Sequence, residues 1–208
     1  MLIPLALRIG SAFSGLLLVL FVLAHLLGVL PALLAPNTFE AYATALHQSP
    51  WLPLMELVLL LAAIVHVGLT ISKTLLNRQG ENTAALTSRR GQPLRSLASR
   101  IKVLTGLITF AFVVIHLQQL RWPRPADGTE GAALHAVLQQ PLNLVLYGAG
   151  ACAIGLHLLH GAEAAHRNLG WLTPTNSSAL RLGGWLLAAL VSAGFLVSSV
   201  GFAIGAAA

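Results

Sequence analysis

Residues 10–34 read GSAFSGLLLVLFVLAHLLGVLPALL, a run without a single charged side chain. As a helix rising 1.5 Å per residue it measures about 37 Å, enough to cross the ~30 Å hydrocarbon layer of a bilayer. Its apolar residues run nearly all round the helix, which leaves no face for water. Four more runs of this kind follow at about 52–76, 101–121, 142–166 and 181–206. Breakers separate them: Pro36-Asn37, Pro50 to Pro53, Gly80 to Pro93, Pro123 to Gly128 and Pro174 to Asn176. The reading is an all-α membrane protein, with residues 1–208 forming one bundle of five transmembrane helices.

Composition agrees. Only 9% of the residues are charged against 56% hydrophobic, with a mean hydropathy of +0.80, whereas a soluble domain carries about 25% charged residues. The lone Cys152 excludes an internal disulfide and any cysteine-ligated centre, and its apolar setting predicts a small packing residue. No phosphate-binding glycine loop, serine nucleophile elbow or HExxH pair is present. The net charge of +6 does not call for nucleic acid, because the charges lie between the apolar runs. The first run is too long for a signal-peptide core and is read as a retained span.

Those charges also orient the chain. Ten basic residues fall on one side: Arg8, then Lys73 to Lys102 around the second connection, then Arg167 and Arg181. Arg121 and Arg124 fall on the other. The positive-inside rule then predicts a cytoplasmic N-terminus and, after five spans, an external C-terminus.

Each of the first four spans holds a histidine: His25, His66, His116 and His157. An ionisable group at membrane depth is costly and by default marks function. His25 lies 17 residues after Arg8 and His116 lies 14 after Lys102, about 21–25 Å along a helix and so in the outer half. His66 precedes Lys73 by seven residues and His157 precedes Arg167 by ten, about 10–15 Å from the inner face. Four helices thus supply two histidines at each of two levels, and His25 should meet His116 as His66 meets His157. Imidazole is a usual axial ligand of haem iron, and a helix bundle can hold a haem between facing histidines. The pattern predicts a bundle holding two haems.

Other residues join this picture. Ser14-Gly15 precedes His25 by the interval that separates Thr105-Gly106 from His116, and Gly68 and Gly155 each lie two residues from an inner histidine. Such glycines suit either close approach of a flat porphyrin or helix packing. His160, one turn from His157, is a competing ligand or a haem-propionate contact. His166 reads as interfacial, and His47 and His135 as solvated residues of outer loops. Electron transfer coupled to protons needs an acid or base near a haem edge. Glu56, opening the second span, is the candidate, although a carboxylate also suits a helix start. Glu163 is placed to pair with Arg167 at i, i+4.

Taken together, these features resemble the cytochrome b558 subunit of succinate dehydrogenase, the five-helix dihaem anchor of succinate:quinone and quinol:fumarate reductases. The resemblance is carried by Ser14-Gly15 to His25, Glu56 to His66, and Ser99-Arg100 through Thr105-Gly106 to His116. Leu156-His157-Leu158-Leu159-His160-Gly161, Leu169-Gly170, and Phe39-Glu40-Ala41-Tyr42 leading to His47 extend it over nearly the whole chain. It implies two b haems ligated by the same outer and inner pairs, with Arg8, Arg100 and Arg121 as propionate contacts and Glu56 at a quinol site. It also implies a bacterial cytoplasmic membrane, a quinone (often menaquinone) as electron partner, and docking of an FAD flavoprotein and an iron–sulfur subunit near Lys73–Lys102. This subunit carries no dicarboxylate site of its own. Alternatives are a dihaem anchor of the nitrate-reductase gamma type, whose ligands are concentrated on two helices, and a haem-free membrane interaction or transport protein.

Overall fold

The computed structural model describes residues 4–79 and 93–205. The described chain forms α1 (Leu5–Val29), a short α2 (Pro31–Leu34), α3 (Pro36–His47), α4 (Leu52–Gln79) and α5 (Pro93–Arg100). Then come α6 (Lys102–His116), continued by a π turn over Leu117–Arg121, α7 (Glu130–Leu138), α8 (Pro141–Asn168) and α9 (Ser177–Ala203). Five segments are long and apolar enough to cross a membrane: Leu5–Leu34, Leu52–Asn77, Lys102–Arg121, Pro141–Asn168 and Ser177–Ala203. The first therefore starts five residues earlier than the apolar run suggested, and the last starts four earlier. A helix continues through Arg8 or Arg181 because these side chains reach the interface while their stems stay on apolar surface. Residues 80–92, which include Gly80, Gly91 and the Arg89 and Arg90 of the basic stretch expected to dock partner subunits, lie outside the described residues.

Proline sets several boundaries. Pro31 ends the hydrogen-bond ladder of α1, and Pro36 opens α3 where the sequence suggested only a break, since proline is tolerated at the first helical position. Pro141 likewise opens α8. Just past the end of α8, Gly170 has a φ of +75°, which suits a glycine. The Trp171 N–H then donates back to the His166 carbonyl at 2.9 Å.

Helix α8 is the hub. It packs along α9 and also meets α6, α1 and α5, while α4 packs mainly on α1. Small residues make this approach possible: a methyl group on Gly155 would stand 2.8 Å from Cβ of Ser192, and one on Gly150 would stand 2.6 Å from the Phe112 ring. Gly155 thus serves helix packing, and Gly68 has no neighbour within 4 Å. At the periphery α4 exposes Leu57, Leu61 and Ile64, and α6 exposes Leu104 and Leu107. An apolar surface this continuous belongs in lipid. Cys152 is exposed rather than packed, because it lies on the face of α8 away from its neighbours.

The two ends of the bundle differ. At the basic end, where α1 begins, Ala98, Leu158, Leu159, Ala188 and Val191 form a core that ties α5 to α8 and α9. There the buried Glu163 receives Arg167 at 2.5 Å, with Arg181 at 3.6 Å and Arg95 at 3.7 Å. The other end is capped by α3 and α7, which join α2, α8 and α9 around Ala32, Phe39, Leu138, Tyr147 and Phe202. Glu40 of α3 accepts the Glu130 and Gly131 N–H groups at 3.2 and 2.8 Å, satisfying two orphan donors at the start of α7. Burial, with the neighbouring Glu130 carboxylate adding to it, pushes the Glu40 carboxyl above its ordinary range. His47 and His135, expected in solvated loops, belong to α3 and α7. Both are partly buried, and His135 Nδ1 lies 2.5 Å from the Phe202 carbonyl. Their helices, of 12 and nine residues, are too short to stand out from turn sequence in a chain dominated by long apolar runs.

Candidate functional site

The four span histidines come from α1, α4, α6 and α8 and meet as two pairs. Toward the capped end the rings of His25 and His116 lie 5.9 Å apart between centroids, inclined at 74°. Toward the basic end His66 and His157 lie 6.3 Å apart, inclined at 78°. The partners in each pair sit on helices that make no substantial backbone contact with one another, and neither do α4 and α6. Each pair therefore faces across the middle of a four-helix cradle.

At the basic end, a methyl group on Gly15 would stand 3.0 Å from Cε1 of His66, and one on Gly106 would stand 3.2 Å from Cε1 of His157. Each ring lays its Nδ1–Cε1 edge against a glycine of a flanking helix, α1 or α6. The two glycines that precede the capped-end histidines in sequence thus make room for the basic-end ones. Ser14 Oγ donates to the Gly10 carbonyl at 2.8 Å and stands 3.3 Å from His66 Nδ1. With its proton committed, that hydroxyl accepts from an Nδ1–H, which leaves the His66 Nε2 lone pair free. His157 Nδ1 is buried and makes no hydrogen bond.

The capped-end pair is surrounded by rings instead. Phe21 stacks on His25 at 5.6 Å and Phe195 lies at 5.9 Å, while Phe112 and Tyr147 each stand 5.7 Å from His116. The Tyr147 hydroxyl is 3.1 Å from His116 Nδ1. This aromatic nest was missed in the sequence, where Phe21 and Phe112 looked like ordinary span residues. Their position four residues before His25 and His116 was the available signal, since i and i+4 share a helix face.

Just past His116 the π turn carries Arg121 to Glu56 at the start of α4. The guanidinium donates to both carboxylate oxygens, at 2.5 and 3.0 Å. The proposed quinone-site acid and a proposed propionate contact are therefore partners of each other, with side chains 39% and 33% exposed. π turns of this kind are frequent at functional sites. Of the other expected contacts, Arg8 reaches the Arg167 carbonyl at 3.5 Å, and Arg100 ends α5 exposed. His160 is partly buried one turn beyond His157. His166 Nδ1 lies 2.7 Å from the Ala162 carbonyl and its ring meets Trp171 edge-on, as an interfacial pair.

A metal about 2 Å from one nitrogen of each of two rings holds the ring centres roughly 6 Å apart. Both pairs have that separation. The all-imidazole donor set, the orphaned Nδ1 of His157, the glycines beneath two rings and the lack of close backbone contact between α4 and α6 fit a haem at each level. No family model matches this chain, and no curated protein or solved structure matches it.

Proposed function

We propose that this protein is a dihaem b-type membrane cytochrome, the anchor and quinone-reactive subunit of a succinate:quinone or quinol:fumarate oxidoreductase. The observation that carries the reading is the meeting of four histidines from four helices as two pairs, one pair at each of two levels. His25 and His116 would hold one haem, and His66 and His157 the other. The haems would supply one-electron carriage between the two ends of the bundle.

The chain's own groups have separate tasks in this reading. Ser14 and Tyr147 hold His66 and His116 through Nδ1 and leave Nε2 for the metal. The aromatic nest excludes water from the capped-end pair. Glu56, oriented by two hydrogen bonds from Arg121, handles the proton that accompanies electron exchange with a quinone such as menaquinone. Arg8 and Arg100 at the basic end, and His160 near it, would contact haem propionates. The excess of Lys and Arg there favours a cytoplasmic basic end in a bacterial inner membrane. A flavoprotein with FAD and an iron–sulfur subunit would dock on that side, near Lys73–Lys102.

Spreading the ligands over four helices favours this class over a nitrate-reductase gamma type. The deciding measurement is a reduced-minus-oxidised spectrum with haem quantification on the purified protein. The expected result is two b haems per chain. No haem in protein purified from haem-replete cells would overturn the reading. Co-purification of a molybdenum enzyme instead of a flavoprotein would move the chain to the nitrate-reductase class.

A further inference from the structure

A second cluster of polar side chains lies at the capped end, and the electron-carrier reading makes no use of it. His47 closes α3, Asp127 lies in the connection before α7, and Glu130 opens α7. His47 Nδ1 stands 3.1 Å from Glu130 Oε1 and 4.0 Å from Asp127 Oδ1. One donor atom from each of the three residues lies within 4.8 Å of the other two.

The burial of this cluster makes it unusual. Glu130 is only 8% exposed. His47 Nδ1 and Glu130 Oε1 are both shut off from solvent, yet neither makes a hydrogen bond. At 3.1 Å an N–H aimed at the carboxylate would make one, so the nitrogen is directed elsewhere. The two atoms touch as an ion pair without a hydrogen bond, and a shared cation would satisfy both.

The remaining oxygens are already held. Glu130 Oε2 accepts the Gly128 N–H at 2.9 Å, and Asp127 Oδ2 accepts Gln48 Nε2 at 3.1 Å. Glu40, not Glu130, serves the Glu130 and Gly131 N–H groups at the start of α7. Each carboxylate is thereby anchored through one oxygen while the other stays near the imidazole. Such outer contacts are what orient metal ligands.

We propose that His47, Asp127 and Glu130 bind one divalent transition-metal ion of the zinc class at the capped end. An imidazole with two carboxylates suits zinc, whereas calcium and magnesium favour all-oxygen shells. Two carboxylates balance the charge of the ion. Asp127, whose side chain is 43% exposed, marks the open side where water completes the coordination. This site is independent of the histidine pairs and does not rest on the haem reading.

The test is equilibrium dialysis of the purified protein, haems retained and stray metal removed by a chelator, against zinc chloride alone. The expected result is one saturable zinc per chain that excess magnesium or calcium does not displace. Asp127→Asn, at an exposed position, should weaken binding at least tenfold, and His47→Gln should abolish it with haem content unchanged. His135→Gln, one turn into α7, should leave binding intact. Absence of saturable zinc, displacement by equimolar magnesium, or full binding in an Asp127→Asn/His47→Gln double variant would each overturn the proposal. A thermal midpoint of Asp127→Asn matching wild type without metal separates lost ligation from lost folding.

Discussion

The two histidine levels place one kind of side chain in two different surroundings. At the basic end, His66 and His157 rest on the backbone of neighbouring helices, over Gly15 and Gly106, with a serine hydroxyl and a buried ion cluster nearby. At the capped end, His25 and His116 are enclosed by Phe21, Phe112, Tyr147 and Phe195. One level achieves close approach by omitting side chains, and the other excludes water by adding large ones. Burial and hydrogen bonding set the potential of a bound haem. On the dihaem reading the two levels therefore differ in potential although all four ligands are histidine.

Removing ligands breaks the comparison most severely. His66→Ala should lose the basic-end haem and His25→Ala the capped-end haem, each halving the haem per chain and removing a different spectral component. Loss of both haems from either variant would mean that the levels do not assemble separately. Gly15→Val or Gly106→Val comes next. The first side-chain carbon would already stand 3.0 or 3.2 Å from a ring atom, so haem titration should show the basic-end site emptied and the capped-end site retained.

The ion pairs at the two ends sharpen the contrast further. Glu163 is 3% exposed and faces three arginines, and Glu163→Gln should cost about 1–3 kcal/mol, because Arg95 is largely buried while Arg167 and Arg181 stay within reach of water. Glu56→Gln meets a partly exposed arginine and should cost about 1 kcal/mol or less. Its effect should appear instead as slower quinol-linked reduction with haem content intact. Thermal midpoints of the two variants in one detergent, together with the quinol assay, check both expectations. The smallest effect is expected from Tyr147→Phe. Removing the hydroxyl 3.1 Å from His116 Nδ1 should cost about 0.5–1.5 kcal/mol, seen as a shift in the capped-end haem potential while the basic-end potential stays constant.

Much of this architecture is legible without coordinates. Long uncharged runs have one stable outcome in a membrane, so five spans follow from length and hydropathy alone. A helix has a constant rise, so counting residues from Arg8, Lys73, Lys102 and Arg167 ranks the histidines by depth. The Glu163–Arg167 pairing follows from helical periodicity.

Contacts between segments distant in sequence escape that reasoning. Gly15 lies against His66 and Gly106 against His157, because helix rotation, which hydropathy leaves open in uniformly apolar spans, selects the facing side. The π turn that brings Arg121 to Glu56 is a backbone irregularity with no residue signature in Leu117-Gln118-Gln119-Leu120-Arg121. α3 and α7 are too short to announce themselves, and only their mutual packing draws His47, Asp127 and Glu130 together. Depth along a helix was thus determined by the sequence, through a rise that every residue shares. Which face turns inward, and what it meets there, was decided by packing, because that depends on all five spans at once.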